Sequence, residues 1–159
     1  YVQILKSPLM MELKQIIDHS GISCSGIIVE LTESGYLEGT PAVRSVWNDM
    51  KQLRIQIALD DFGTGYSNLM NISNLEPDIV KLDRGFTLKA LSRSYEYQLM
   101  QYVIEMVHKL NQYVCVEGVE TKEDLEKIKA LGPDLIQGYY YSKPCSRDEF
   151  LKKFFDYSE

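Results

Sequence analysis

Glu30, Asp60, Asp61, Lys81, Glu117 and Gln137 stand at the close of short apolar runs. Carboxylates gathered at one point repel one another and raise each other's pKa unless cations sit among them. Oxygen-only donors suit hard divalent ions such as magnesium, manganese or calcium better than zinc or copper. The side-by-side pair Asp60-Asp61 can send one carboxylate to each of two ions. Two such ions roughly 3.5–4 Å apart activate water and stabilise an in-line displacement at phosphorus. Plainer readings stand beside this one. Glu30 could cap a helix, Asp60 and Asp61 could shape a turn before Gly63, and Lys81 could pair for structure alone. Glu117 and Gln137 could be ordinary loop residues. Any one residue is ambiguous; the recurrence at every strand end favours a shared metal site.

The elements that would position these residues follow from periodicity. Helical spacing covers Leu9 to Ile17, Pro41 to Leu53, Tyr95 to Leu110, Lys122 to Leu131 and Arg147 to Phe155. Val43, Val46, Trp47 and Met50 would share one helix face, and Met100, Val103, Ile104, Val107 and Leu110 another. Gly132-Pro133 is a stop signal. β-branched runs predict strands at Gly26 to Leu31, Ile55 to Leu59, Ile79 to Leu82, Tyr113 to Val116 and Leu135 to Gly138. Strands alternating with helices predict an α/β fold with a parallel sheet. A barrel gathers the carboxyl ends of its strands at one mouth, whereas an open sheet spreads them along a line. The polar strand ends therefore favour a (β/α) barrel. Gly63-Thr64-Gly65 matches neither the dinucleotide fingerprint nor the Walker loop and reads as a mobile active-site loop.

Composition narrows the class. With 45% hydrophobic and 25% charged residues, the chain of 159 predicts one globular domain. A net charge of −6 disfavours binding to a DNA or RNA duplex through basic patches. Cys24, Cys115 and Cys145 fit neither a disulfide framework nor a zinc site, and predict free thiols in a reducing compartment. His19 and His108 fall inside helices, away from the strand ends, and no ligand role is expected of them. No apolar run is long enough to span a bilayer, Lys6, Pro8 and Glu12 break any leader pattern, and a cytoplasmic location is expected.

Five stretches carry a resemblance. They are Glu30-Leu31-Thr32-Glu33-Ser34, Asp60-Asp61-Phe62-Gly63-Thr64-Gly65-Tyr66-Ser67, Val80-Lys81-Leu82-Asp83, Val116-Glu117-Gly118-Val119-Glu120-Thr121, and Gln137-Gly138-Tyr139 with Ser142-Lys143-Pro144. In order and spacing the chain resembles the EAL-type cyclic di-GMP phosphodiesterase domains of bacterial signalling, across nearly its whole length.

The resemblance implies a modified TIM barrel that hydrolyses cyclic di-GMP to linear pGpG with two magnesium or manganese ions. It implies metal ligands at Glu30 and Asp60, with Asp61 reaching the second ion. Lys81 would hold the attacking water or the phosphate; Glu117 would be the general base and also touch a metal. Glu120 and Gln137 would support the same mouth, and Glu33 would brace the loop Phe62 to Ser67, which would couple dimerisation to metal binding. The Glu-Ala-Leu stretch that names the family is absent, as is a strand expected to carry a ligand asparagine. Residues 1–159 are thus expected to form a partial domain, an incomplete barrel lacking the first strands, with five strands where about eight close a barrel. Open edges would favour a homo-oligomer, and missing ligands would leave the piece weakly active or inactive. The intact parent would be fused to other signalling domains, which could tether it to a membrane. A catalytically silent cyclic di-GMP-binding or dimerising module is the alternative.

Overall fold

The computed structural model describes residues 9–32, 41–64, 72 and 76–155, apart from the side chains of residues 42 and 43. Apolar runs punctuated by caps produce its elements in the expected order. Helix α1 (Leu9–Ser20) and a single 3-10 turn (Cys24–Gly26) precede strand β1 (Ile28–Thr32). Then come α2 (Pro41–Gln52), β2 (Gln56–Phe62) and β3 (Ile79–Leu82). Next are α3 (Arg84–Ser92), α4 (Ser94–Lys109), β4 (Tyr113–Glu117), α5 (Lys122–Lys129), β5 (Leu135–Gln137) and α6 (Arg147–Phe154).

The caps explain several boundaries. Thr121 and Ser146 each form a capping box, with Asp124 and Glu149 respectively, opening α5 and α6. Gly132 follows α5 with φ 75°, a left-handed stop that costs glycine little. Helix α3 was missed by periodicity, because Gly85 and Thr87 blur its pattern. It forms because the Asp83 side chain accepts from the Gly85 N–H at 2.7 Å, while Phe86 and Ala90 bury one face. Leu110, expected in the buried stripe of α4, is instead exposed at the helix end.

All strands are parallel and lie in the order β1-β2-β3-β4-β5. Consecutive order means that the sheet winds one way without reversing. That is the winding of a barrel; a doubly-wound sheet reverses at a switch point. Among the described residues the sheet does not close. The fold is α/β and TIM-barrel-like, an incomplete barrel as expected.

Strand alternation gives the sheet two unlike faces. Leu31, Ile57, Leu59, Val80, Leu82, Val114 and Val116 join the main core against the helices, with Ile104, Val107 and Ile128. The opposite face carries a small apolar cluster of Ala58, Ile79 and Cys115. Asp60, Lys81 and Glu117 each follow a member of that cluster by two residues on the same strand, and Glu30 is in register with Ala58, so all four share that face by strand parity.

At the other end of the sheet a pattern repeats. Asp78 donates its backbone N–H to the Ile57 carbonyl and accepts the Ile57 N–H on Oδ2 at 2.8 Å. Asp134 does the same with Val114, accepting at 2.7 Å. Each aspartate follows a proline, Pro77 or Pro133. These pairs start β3 and β5 in register with their neighbours. They lie at the end of the strands that in a barrel serves stability, opposite the end where catalytic groups sit.

Candidate active site at the carboxyl ends of the strands

Lys81 is the centre of the site. Its Nζ lies 2.8 Å from Glu30 Oε1, 3.0 Å from Asp60 Oδ1 and 2.8 Å from Glu117 Oε1. Four strands thus contribute to one cluster. The lysine side chain is 6% exposed, against 49% for Glu30, 20% for Asp60 and 18% for Glu117. Burial alone would lower its pKa, but Glu117, Glu30 and Asp60 outweigh that and hold it above the ordinary lysine value. Lys81 is therefore an ammonium at neutral pH and cannot act as a base.

A bulge presents the aspartates. Leu59 pairs with Val80 and Phe62 with Leu82, so Asp60 and Asp61 together stand opposite Lys81. Asp61 has φ 61°, in the left-handed region, which breaks the pleat at that point. The sequence reading ended the strand at Leu59; β2 runs on through both aspartates to Phe62. Burial and the carboxylates of Asp60 and Asp83 raise the Asp61 carboxyl above its usual range, against the pull of Lys81. Asp60 Oδ1 is buried and, despite its 3.0 Å approach to Lys81, has no directed hydrogen bond. The contact is an ion pair with poor angles. Cys115, in register with Lys81, has its thiol pushed up to about 11, first by burial and then by Glu117. It is no nucleophile at neutral pH.

Beside Glu117 opens a cavity of about 350 Å³, lined by Arg84, Glu120, Gln137 and Tyr139 among others. Arg84 holds Glu120 Oε1 through Nε at 3.2 Å and Nη2 at 2.7 Å. Gly118, at φ 79°, makes room for this arginine, whose Cγ would overlap a Cβ placed there.

The expected residues divide. Glu30, Asp60, Lys81 and Glu117 converge; Asp61 flanks them in the bulge; Glu120 and Gln137 line the adjoining cavity. In the expected loop, Phe62 is buried at the end of β2, Gly63 turns with φ 102° and Thr64 is exposed. Gly65, Tyr66, Ser67 and Glu33 lie outside the described residues. Arg84 was not foreseen; its signal was its position just after the Asp83 cap, which faces α3 toward the strand ends.

The donor chemistry fits a hard cation, because every candidate ligand is a carboxylate and one buried Asp60 oxygen lacks a directed partner. Among the described residues, however, no three acidic, histidine or cysteine groups are placed to hold an ion by themselves. Lys81 sits between the carboxylates and supplies the countercharge.

The model of the EAL domain family matches residues 2–144. The chain belongs to the EAL domain family. It is 28% identical over 152 residues to cyclic di-GMP phosphodiesterase NbdA of Pseudomonas aeruginosa, covering 94% of this chain and 19% of that protein. Among solved structures it is similar to EAL enzyme Bd1971 in its cAMP- and cyclic-di-GMP-bound form, with TM-score 0.88 and 29% identity, over 94% of this chain and 40% of that one. A manganese and cyclic-di-GMP complex of Klebsiella pneumoniae BlrP1 aligns with TM-score 0.80 and 26% identity, over 89% of this chain and 36% of that one. The EAL chain thus spans about a fifth of the length of NbdA. Among its described residues no helix is long and apolar enough to cross a membrane.

Proposed function

We propose that this EAL chain, residues 1–159, is part of a phosphodiesterase domain that hydrolyses cyclic di-GMP to linear pGpG. The observation that carries the reading is the convergence of Glu30, Asp60 and Glu117 on Lys81 at the carboxyl ends of four adjacent strands. The complexes of Bd1971 and BlrP1 support the ligand, and the manganese of BlrP1 supports a divalent ion.

Two magnesium or manganese ions, held by Glu30, Asp60, Asp61 and Glu117, would lower the pKa of a bound water and neutralise phosphodiester charge. To hold them, the carboxylates exchange part of their contact with Lys81. The Lys81 ammonium, once released in part, donates to the water or to a phosphate oxygen. Glu117 Oε1, within reach of that ammonium, would accept the proton of the attacking water as its oxygen bonds to phosphorus; the bond from phosphorus to one ribose oxygen breaks, and that oxygen leaves as a hydroxyl with a proton returned through solvent. Glu120 and Gln137 border the cavity beside them and contact the substrate. Glu33 braces the loop Phe62 to Ser67, and that loop couples dimerisation to metal binding.

The domain works in the cytoplasm, within a longer signalling protein, and pairs with a second copy through its open sheet edges. Metal-dependent release of pGpG, measured beside Asp60→Asn, tests the activity. Turnover that needs magnesium or manganese and falls at least a hundredfold in the variant supports it. Binding of cyclic di-GMP without turnover in the intact parent protein would favour the silent receptor instead.

A further inference from the structure

Even with two divalent ions bound, the positive charge at the mouth is matched by its own carboxylates, and little is left over for an anionic substrate. Glu30, Asp60, Asp61, Glu117 and Glu120 crowd one rim, and the substrate is itself an anion. The Lys81 charge is already committed to three carboxylates. Among the described residues, the cation that lines the adjoining cavity is Arg84.

Its placement is specific. Arg84 opens α3 directly after the Asp83 cap. Its stem lies against the bare backbone of Gly118, where any side chain would strike Arg84 Cγ. Both of its hydrogen bonds end on one oxygen, Glu120 Oε1, so Nη1 keeps its donors free of partners among the described residues. The side chain is 58% exposed, yet is tethered rather than loose. A guanidinium held from one side, with donors left on the other, matches an anionic oxygen in geometry and charge.

We infer that Arg84 is a substrate-anchoring residue, its guanidinium binding a phosphate oxygen of the cyclic dinucleotide while Glu120 fixes its direction. This rests on the phosphodiesterase reading and adds to it the residue that offsets substrate charge at the cavity wall.

The test is calorimetric binding of cyclic di-GMP to the chain in calcium, across a series of salt concentrations. Wild type, Arg84→Gln and Arg84→Lys are compared, with thermal melts run alongside. The expected result is a loss of affinity of about ten- to a hundredfold in Arg84→Gln, as for a lost charge-assisted hydrogen bond. The salt dependence of binding should become shallower in that variant and be kept in Arg84→Lys. Unchanged affinity in Arg84→Gln overturns the inference while leaving the phosphodiesterase reading intact. Weaker binding with an unchanged salt slope also overturns it, since that marks a structural defect. A wild-type chain that does not bind the dinucleotide at all overturns the inference, while the phosphodiesterase reading stands or falls on turnover by the intact parent protein.

Discussion

Lys81 is in register with Cys115, yet its ammonium ends 2.8 Å from the carboxylate of Glu117, two residues further along β4. The long side chain leans toward the carboxyl end of the sheet and carries its charge out of the apolar cluster of Ala58, Ile79 and Cys115. One lysine thereby bridges three carboxylates that would otherwise repel, and offsets part of their charge.

Lys81→Met should therefore destabilise the chain. Removing one partner of a buried ion pair costs about 3–5 kcal/mol, and less where partners stay wet, as half-exposed Glu30 does. Adding Asp60→Asn to Lys81→Met should recover part of the loss, because one of the stranded charges is gone. Urea midpoints for the two singles and the double give the coupling; strict additivity would show that the cluster is not a unit.

The bulge separates shape from chemistry at Asp61. Asparagine tolerates the left-handed region, whereas alanine is strained there by roughly 1–2 kcal/mol. Asp61→Asn should melt within a degree or two of wild type and still lose metal-dependent turnover by at least tenfold. Asp61→Ala should lose both. Equal melting of the two variants would refute the backbone argument.

Two glycines should fail for different reasons. A Cβ on Gly138 would run into the backbone of Val119, which has no flexible end to move. A Cβ on Gly132 meets open space, and only its φ of 75° opposes it. Gly138→Ala should cost more than about 3 kcal/mol and Gly132→Ala about 1 kcal/mol, read from denaturant unfolding.

Asp134 sets an acid limb. Burial raises its pKa, but the Val114 N–H and His108, 2.8 Å away, bring the balance below the usual carboxylate value. A depressed folded pKa stabilises above the unfolded value, near 3.9, and that contribution is lost as pH falls through the folded one. Asp134→Asn should flatten the fall in stability below about pH 4. A parallel acid limb in wild type and variant would remove this assignment.

Much of the fold was legible in the chain, since buried strands and amphipathic helices announce themselves by period. The helix Arg84–Ser92 was not, because three buried residues, Phe86, Thr87 and Ala90, and a cap carry it with little amphipathic signal. The carboxylates Glu30, Asp60 and Glu117 could be singled out because polar residues closing apolar runs are costly unless they meet something. Which of them touch, and through what, could not.

The amino-acid order alone determined the parallel α/β plan, the acidic rim and the kinship with EAL domains, because these are written in local period and in motif. Only the tertiary structure decided that Lys81 stands inside the carboxylates, that Asp61 turns out of the pleat, and that Arg84 reaches across Gly118 to Glu120. Those depend on strand stagger, a two-against-one bulge and a missing Cβ, all of which arise between segments far apart in sequence.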